Sequence, residues 1–251
     1  MTEITKTKVY FASDLHLGAP DYASSLVREK AFVQWLDMIS KDASDLYLLG
    51  DIFDMWFDFK RVVPRGYVRL LGKLAELSDA GLQIHYFIGN HDMWTFDYFE
   101  KELGVIMYRE PQEIALGNKT FMIGHGDGLG SGDTSYKFIK RIFAGKFNQW
   151  LFARLHPNFG LWLAGFLSRR SRIANGNYDE QFHGEDKESL VQYCKKRLAT
   201  KHYDYFIFGH RHLKMEIQIA DNSTYINLGE WVNNKPYAVF DGEELQLLEF
   251  E

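Results

Sequence analysis

Short apolar runs alternate with longer segments of helical length through most of the chain. The runs are Val9–Ala12, Leu46–Leu49, Ile84–Ile88, Phe121–Ile123 and Tyr205–Phe208. Each is short and rich in β-branched or aromatic residues, which predicts strands. Between the first three lie Ser25–Ser40 and Gly66–Ala80, which predict helices. The second closes on Ala80-Gly81, where glycine suits the left-handed residue after a helix end. This alternation predicts an α/β fold. The C-terminal part changes character. Tyr225–Asn227, Tyr237–Phe240 and Leu245–Phe250 predict short strands, with Asp241-Gly242 as a hairpin turn.

Every one of the five runs feeds into polar residues of the same kind. They are Asp14-Leu15-His16, Gly50-Asp51-Ile52-Phe53-Asp54, Gly89-Asn90-His91-Asp92, Gly124-His125-Gly126-Asp127 and Gly209-His210-Arg211-His212. Ligands of α/β sheets bind at the carboxyl ends of strands, so five such clusters are expected to converge. Five of the nine histidines lie in them; His85, His156, His183 and His202 do not. Asp, His and Asn without cysteine form a hard-to-borderline donor set suited to Mn, Fe, Zn or Mg. Asp14, His16, Asp51, Asn90, His125, His210 and His212 exceed what one ion needs. Shared between two ions, with one carboxylate bridging, they leave positions for water and a phosphoryl oxygen.

Composition bounds the reading. A chain of 251 residues can bury roughly 70–75% of its unfolded surface without a disulfide or metal staple. The lone Cys194 excludes a disulfide framework and suits a reducing compartment. Residues 1–8 are polar and lack the apolar core of a signal peptide. The longest apolar run, Phe159–Leu167, has nine residues, against about 20 for a membrane span. A net charge of −5 argues against nucleic-acid binding.

One stretch departs from that average. Thr134–Tyr178 contains no Asp or Glu but holds Lys137, Lys140, Arg141, Lys146, Arg154, Arg169, Arg170 and Arg172. Phe138, Phe143, Phe147, Trp150, Phe152, Phe159, Trp162 and Phe166 interleave with them at mostly helical spacing. It reads as a helical insertion, residues 134–178, within one domain spanning 1–251. An aromatic groove rimmed by Arg and Lys suits an amphiphile carrying apolar tails and a phosphate. The plain alternative is an amphipathic hairpin with a solvated basic face.

The five blocks, in this order, resemble the calcineurin-like metallophosphoesterases, whose pattern is D-x-H, G-D-x-x-D, G-N-H-[DE], a single His and G-H-x-H. The resemblance implies a two-sheet αββα sandwich and two divalent ions, with Mn the first choice. One ion would use Asp14, His16, Asp51 and His212; the other Asp51, Asn90, His125 and His210, with Asp51 bridging. His91 would act on the phosphoryl group or leaving oxygen. Asp51, Asn90 and His91 would thus carry the chemistry, while Asp54 and Asp92 orient ligands.

Gly50–Trp56, His125-Gly126-Asp127 and the insertion after them are similar to the UDP-2,3-diacylglucosamine hydrolases of lipid A biosynthesis, over nearly the whole chain. That likeness implies hydrolysis of the substrate's pyrophosphate to UMP and 2,3-diacylglucosamine 1-phosphate, under a helical lid that holds the acyl chains. Substrate contacts would come from Asn90, His91, Asp133, Tyr136, Ser171, Arg172, Asn175 and His210. The protein would be cytoplasmic, touching the inner face of the inner membrane through the lid. Three positions depart from the family pattern: His91 replaces Arg, Arg211 replaces Thr and Tyr178 replaces Lys. A divergent phosphoesterase acting on another phosphodiester or phosphomonoester is the first alternative. A non-catalytic scaffold is the second, opposed by the complete ligand set and His91.

Overall fold

The computed structural model describes residues 7–130, 134–179 and 181–251, with side chains described throughout except at 135 and 171–179. Asp133 therefore lies outside the described residues, and so do the side chains of Ser171, Arg172, Asn175 and Tyr178.

The chain runs β1 (Lys8–Ala12), α1 (Tyr22–Ile39), β2 (Ala43–Leu48), α2 (Val68–Asp79), β3 (Gln83–Phe87), α3 (Tyr98–Leu103) and β4 (Ile106–Tyr108). It continues through β5 (Gln112–Leu116), β6 (Lys119–Ile123), α4 (Thr134–Ala144), α5 (Lys146–Phe152), α6 (Pro157–Asp179) and α7 (Ser189–Leu198). It ends with β7 (Tyr205–Phe208), β8 (Met215–Ala220), β9 (Ser223–Asn227), β10 (Pro236–Phe240) and β11 (Leu245–Glu249). One sheet has the order β11-β10-β1-β2-β3-β4, the other β5-β6-β7-β9-β8. β1 to β4 are parallel neighbours. In the second sheet β6, β7 and β9 are parallel.

Alternation along the strands builds the layers. Val9 and Phe11 point between the sheets, where they meet Phe121, Ile123, Ile207 and Phe240. Tyr10 and Ala12 point the other way, onto Phe32, Trp35, Leu36 and Leu74 of the helices. The outer face of the second sheet packs Phe206 and Phe208 against Leu190, Val191 and Cys194 of α7. The order is helix, sheet, sheet, helix, as expected. Strands covered on both faces carry unbroken apolar runs, which is why the runs were visible.

The predicted elements recur with shifted ends. β2 starts at Ala43 rather than Leu46, α1 at Tyr22 rather than Ser25, and β11 stops at Glu249. Asp21 caps α1 by accepting the Ser24 N–H (2.9 Å). Gly81 after α2 takes φ +90°, the left-handed geometry its position requires. Asp241–Glu244 forms the turn from β10 to β11, closed by Asp241 N–H donating to the Glu244 carbonyl. The acid-free stretch forms three helices, α4 to α6, between β6 and β7. The apolar pattern does not predict α3, β4, β5, α7 or β8.

Candidate active site

β1, β2 and β3 deliver their carboxyl ends side by side, and β6 and β7 do the same in the other sheet. Backbone bonds stitch the exits together. Asp14 N–H donates to the Gly50 carbonyl (3.0 Å), His16 N–H to Asp51 (2.9 Å) and Gly209 N–H to His125 (2.9 Å). Asp14, His16, Asp51 and His210 all hold positive φ, between 44° and 67°. Non-glycine residues rarely occupy that region, and such strain gathers at functional sites. Two glycines allow the crowding: a Cβ on Gly89 would collide with Asp51, and one on Gly209 with Asp14 and Ser13.

The side chains of these blocks lie close together. His16 Nε2 lies 3.1 Å from His212 Nε2 and 3.7 Å from Asp14 Oδ1. His212 Nε2 lies 3.6 Å from the same Asp14 oxygen. Asp51 Oδ2 sits between His125 Nε2 (3.4 Å), His16 Nε2 (3.9 Å) and His91 Nε2 (4.0 Å). Asn90 Oδ1 is 3.2 Å from His125 Nε2. The His125 and His210 rings meet edge-on, centroids 5.3 Å apart. Three overlapping groups could each hold a metal ion: Asp14, His16 and His212; His16, Asp51 and His91; Asp14, Asp51 and His125.

The electrostatics fit cations. Asp14 is fully buried, yet among the described residues its Oδ1 has no hydrogen-bond partner. A buried carboxylate oxygen left bare is costly unless a positive group faces it. Burial opposes protonation of His16 and His125, but neighbouring carboxylates, Asp14 and Asp51 foremost, pull them up to about 9 and about 10. Despite burial, His125 and His91 hold Asp51 well below the usual carboxylate range. Burial and the proximity of His16 push His212 down to about 4, so it offers a bare nitrogen. His125 Nδ1 donates to the Leu49 carbonyl (2.7 Å), which turns Nε2 toward Asp51. Six imidazole and carboxylate groups plus an amide oxygen suit divalent ions of the Mn, Fe, Zn and Mg kind.

The supporting residues have defined partners. Asp92 accepts from Ile52 N–H (2.9 Å), Gly89 N–H (2.6 Å) and Tyr86 O–H (2.6 Å). It thereby locks the loops after β2 and β3 together. Burial and the Asp51 charge push it up to about 6. Asp54 Oδ1 lies 3.7 Å from both His16 Nδ1 and His91 Nδ1. Tyr136 reaches the rim: its hydroxyl donates to Asp127 (2.7 Å), and its ring stands 6.3 Å from that of His210.

Three contributors escaped the sequence reading. Asp127 pairs with Lys140 (2.6 Å) and ties α4 to the strand ends; its place in the His-Gly-Asp block was the available clue. Arg211 forks onto buried Glu188 at the start of α7 (2.9 and 3.1 Å), steadying the loop that bears His210 and His212. Ser168 of α6 touches both Asp54 and His91, each at 3.1 Å. Nothing in the sequence links Arg211 with Glu188, or Ser168 with His91, because only folding brings them together.

Two cavities flank the cluster. One, about 500 Å³, is lined by Asn90, His91 and Asp54, by Tyr136, Lys140 and Ser168, and for the greater part by apolar side chains such as Met93, Trp94, Phe143, Phe152 and Leu167. The other, about 310 Å³, reaches His125 and is lined by Phe87, Tyr108, Arg109, Lys137, Lys140 and Arg141 among others.

The calcineurin-like phosphoesterase family model matches residues 7–214. A protein of Porphyromonas gingivalis named UDP-2,3-diacylglucosamine hydrolase is 38% identical, over 98% of this chain and 98% of that one. One of the same name from Hamiltonella defensa is 30% identical, over 80% of this chain and 76% of the other. Among solved structures, Yfce, a phosphoesterase from E. coli, aligns with 97% of this chain and all of its own at 16% identity and a TM-score of 0.46. With the match spanning all five strand-end blocks, the chain belongs to the calcineurin-like phosphoesterases and is a metal-dependent phosphoester hydrolase.

Proposed function

We propose that this protein hydrolyses the pyrophosphate of UDP-2,3-diacylglucosamine, releasing UMP and 2,3-diacylglucosamine 1-phosphate. The observation that carries the reading is the apolar cavity of about 500 Å³ whose wall includes Asn90 and His91. A hydrolase of small soluble esters has no use for Trp94, Phe143, Phe152 and Leu167 around a chamber opening on its reactive groups. Acyl chains bury well there, at about 0.8 kcal/mol per CH₂. The name of the two relatives agrees.

In this reading Asp14, His16, Asp51 and His212 hold one divalent ion, and Asp51, Asn90, His125 and His210 hold a second, Mn²⁺ first. When bound, such ions neutralise phosphoryl charge and acidify water toward neutral pH. Asp51 faces both groups of histidines and spaces them. Water attacks the phosphorus nearer uridine; the bond from that phosphorus to the bridging oxygen breaks, and that oxygen leaves with the sugar phosphate. His91 stands beside Asp51 (Nε2 to Oδ2 4.0 Å), placed to meet the phosphoryl group or the leaving oxygen. We assign the nucleotide half to the basic cavity by His125 and the acyl half to the cavity by His91.

Helices α4 to α6 act as the lid and as the membrane contact. Phe138, Phe147, Trp150, Trp162 and Phe166 are exposed, and the Arg154 guanidinium lies 4.9 Å over the Trp150 ring. Exposed aromatics beside cations suit the headgroup layer of an anionic membrane. No described helix is long and apolar enough to cross a membrane. In this reading the contact is peripheral, on the inner face, where nucleotide-linked lipids are used.

Incubation in ¹⁸O-water with Mn²⁺ and the lipid substrate tests this. The label is expected in UMP. Label in the sugar phosphate, or no turnover while another phosphodiester is cleaved rapidly, overturns it.

A further inference from the structure

α6 carries a serine whose hydroxyl leaves its own helix. A mid-helix serine commonly returns its O–H to the carbonyl four residues back. Ser168 instead donates to Asp54 Oδ1 (3.1 Å), 114 residues away in sequence, and its Oγ stands 3.1 Å from His91 Nδ1. The same Nδ1 lies 3.1 Å from the Asp54 carbonyl. A carbonyl can only accept, so Nδ1 carries the proton. The Ser168 oxygen accepts a share of that N–H while its own hydrogen goes to Asp54. On its flank, the His91 ring meets His16 edge-on at 4.9 Å. Nε2 is thereby turned toward Asp51 Oδ2, the atom shared by the histidines of the site.

Ser168 also lines the apolar cavity together with Asp54, Asn90 and His91. The element that walls the cavity thus holds the imidazole at its end. We propose that Ser168 is a positioning residue for His91, so that the seating of α6 on the cavity sets the orientation of the imidazole. This rests on the role given to His91 above, and it does not depend on which phosphodiester is the natural substrate.

A double-mutant cycle tests it, using the full chain with Mn²⁺ and bis(p-nitrophenyl) phosphate, which has no acyl chain to sense the cavity. Ser168→Ala is expected to lower kcat about tenfold, the loss of one hydrogen bond to a reactive group, with KM within about twofold. Ser168→Thr keeps the hydroxyl and is expected to recover most of the rate. In a His91→Ala background, Ser168→Ala is expected to change kcat less than about twofold, because its target is gone. With Mg²⁺ and nitrogen-15 histidine, the His91 Nδ1–H signal is expected to be sharp in the parent protein and broadened in Ser168→Ala. The proposal is overturned by a wild-type kcat in Ser168→Ala, an equal loss in both backgrounds, a loss confined to KM, or an unchanged Nδ1–H signal. Failure to release UMP from the nucleotide lipid would instead count against the substrate assignment, leaving the cycle readable.

Discussion

The strand-end cluster and the helical stretch α4–α6 are built on opposite terms. At the cluster, charged groups are buried: Asp14, His16, Asp51 and His125 expose 3% or less of their surface. In the helices, apolar groups are exposed: Phe147 shows 71% and Trp162 58%. Each inverts the usual rule, and each inversion implies a missing partner. Buried carboxylates with strained backbone call for cations. Uncovered aromatics among lysines and arginines, with no acid before Asp179, suit something apolar and anionic. Asn90 and His91 share one cavity with Phe143, Phe152, Leu163 and Leu167 of these helices, so the two regions meet at a single chamber.

That contrast can be broken in graded ways. Asp51→Asn should have the largest effect, cutting kcat by about a thousandfold or more, since the carboxylate that faces both sets of histidines supports the several kcal/mol expected of metal catalysis. Elemental analysis of the purified variant should show loss of both ions; retention of both would refute the bridging role. His91→Ala should cost about 10²–10⁴-fold in kcat, the range for a proton-transfer partner, with metal content unchanged. Removal of both ions by chelation should lower Tm by about 10–20 °C, as expected for two ions each held at about 100 times its Kd in a domain this size. Replacing Phe147 and Trp162 with Ala should leave Tm within about 2 °C, because neither is buried. It should reduce cosedimentation with anionic vesicles and turnover of vesicle-borne substrate about tenfold, while hydrolysis of a small phosphodiester stays unchanged. Arg141→Ala should have the smallest effect, raising KM for the nucleotide substrate about threefold, the scale of an exposed ion pair.

What could be read in advance follows from range. Asp14, His16, Asp51, Asn90, His125, His210 and His212 were legible because each sits within a few residues of an apolar strand that both sheets bury. The layer order was legible for the same reason. α3, β4 and β5 were not. β5 alternates intermediate and exposed positions, so its apolar signal is weak, and β4 is three residues long. α7 was hidden because its buried face amounts to Leu190, Val191 and Cys194 on a segment rich in Lys and Arg. The contacts of Ser168 with His91, and of Arg211 with Glu188, span 77 and 23 residues. No local pattern can encode such pairings; tertiary packing creates them. The aromatic surplus, visible as composition, divides in the structure between the Trp35, Trp231 and Tyr237 core and the exposed faces of α5 and α6.

The most direct test compares UMP release from UDP-2,3-diacylglucosamine with that from UDP-N-acetylglucosamine, which offers the same pyrophosphate without fatty acyl chains. If the cavity beside His91 receives those chains, kcat/KM should favour the acylated substrate by at least about a hundredfold, corresponding to a few buried CH₂ groups. Equal values for the two would show that the aromatic chamber does not select the substrate, and would contradict the joining of metal cluster and lid into one site.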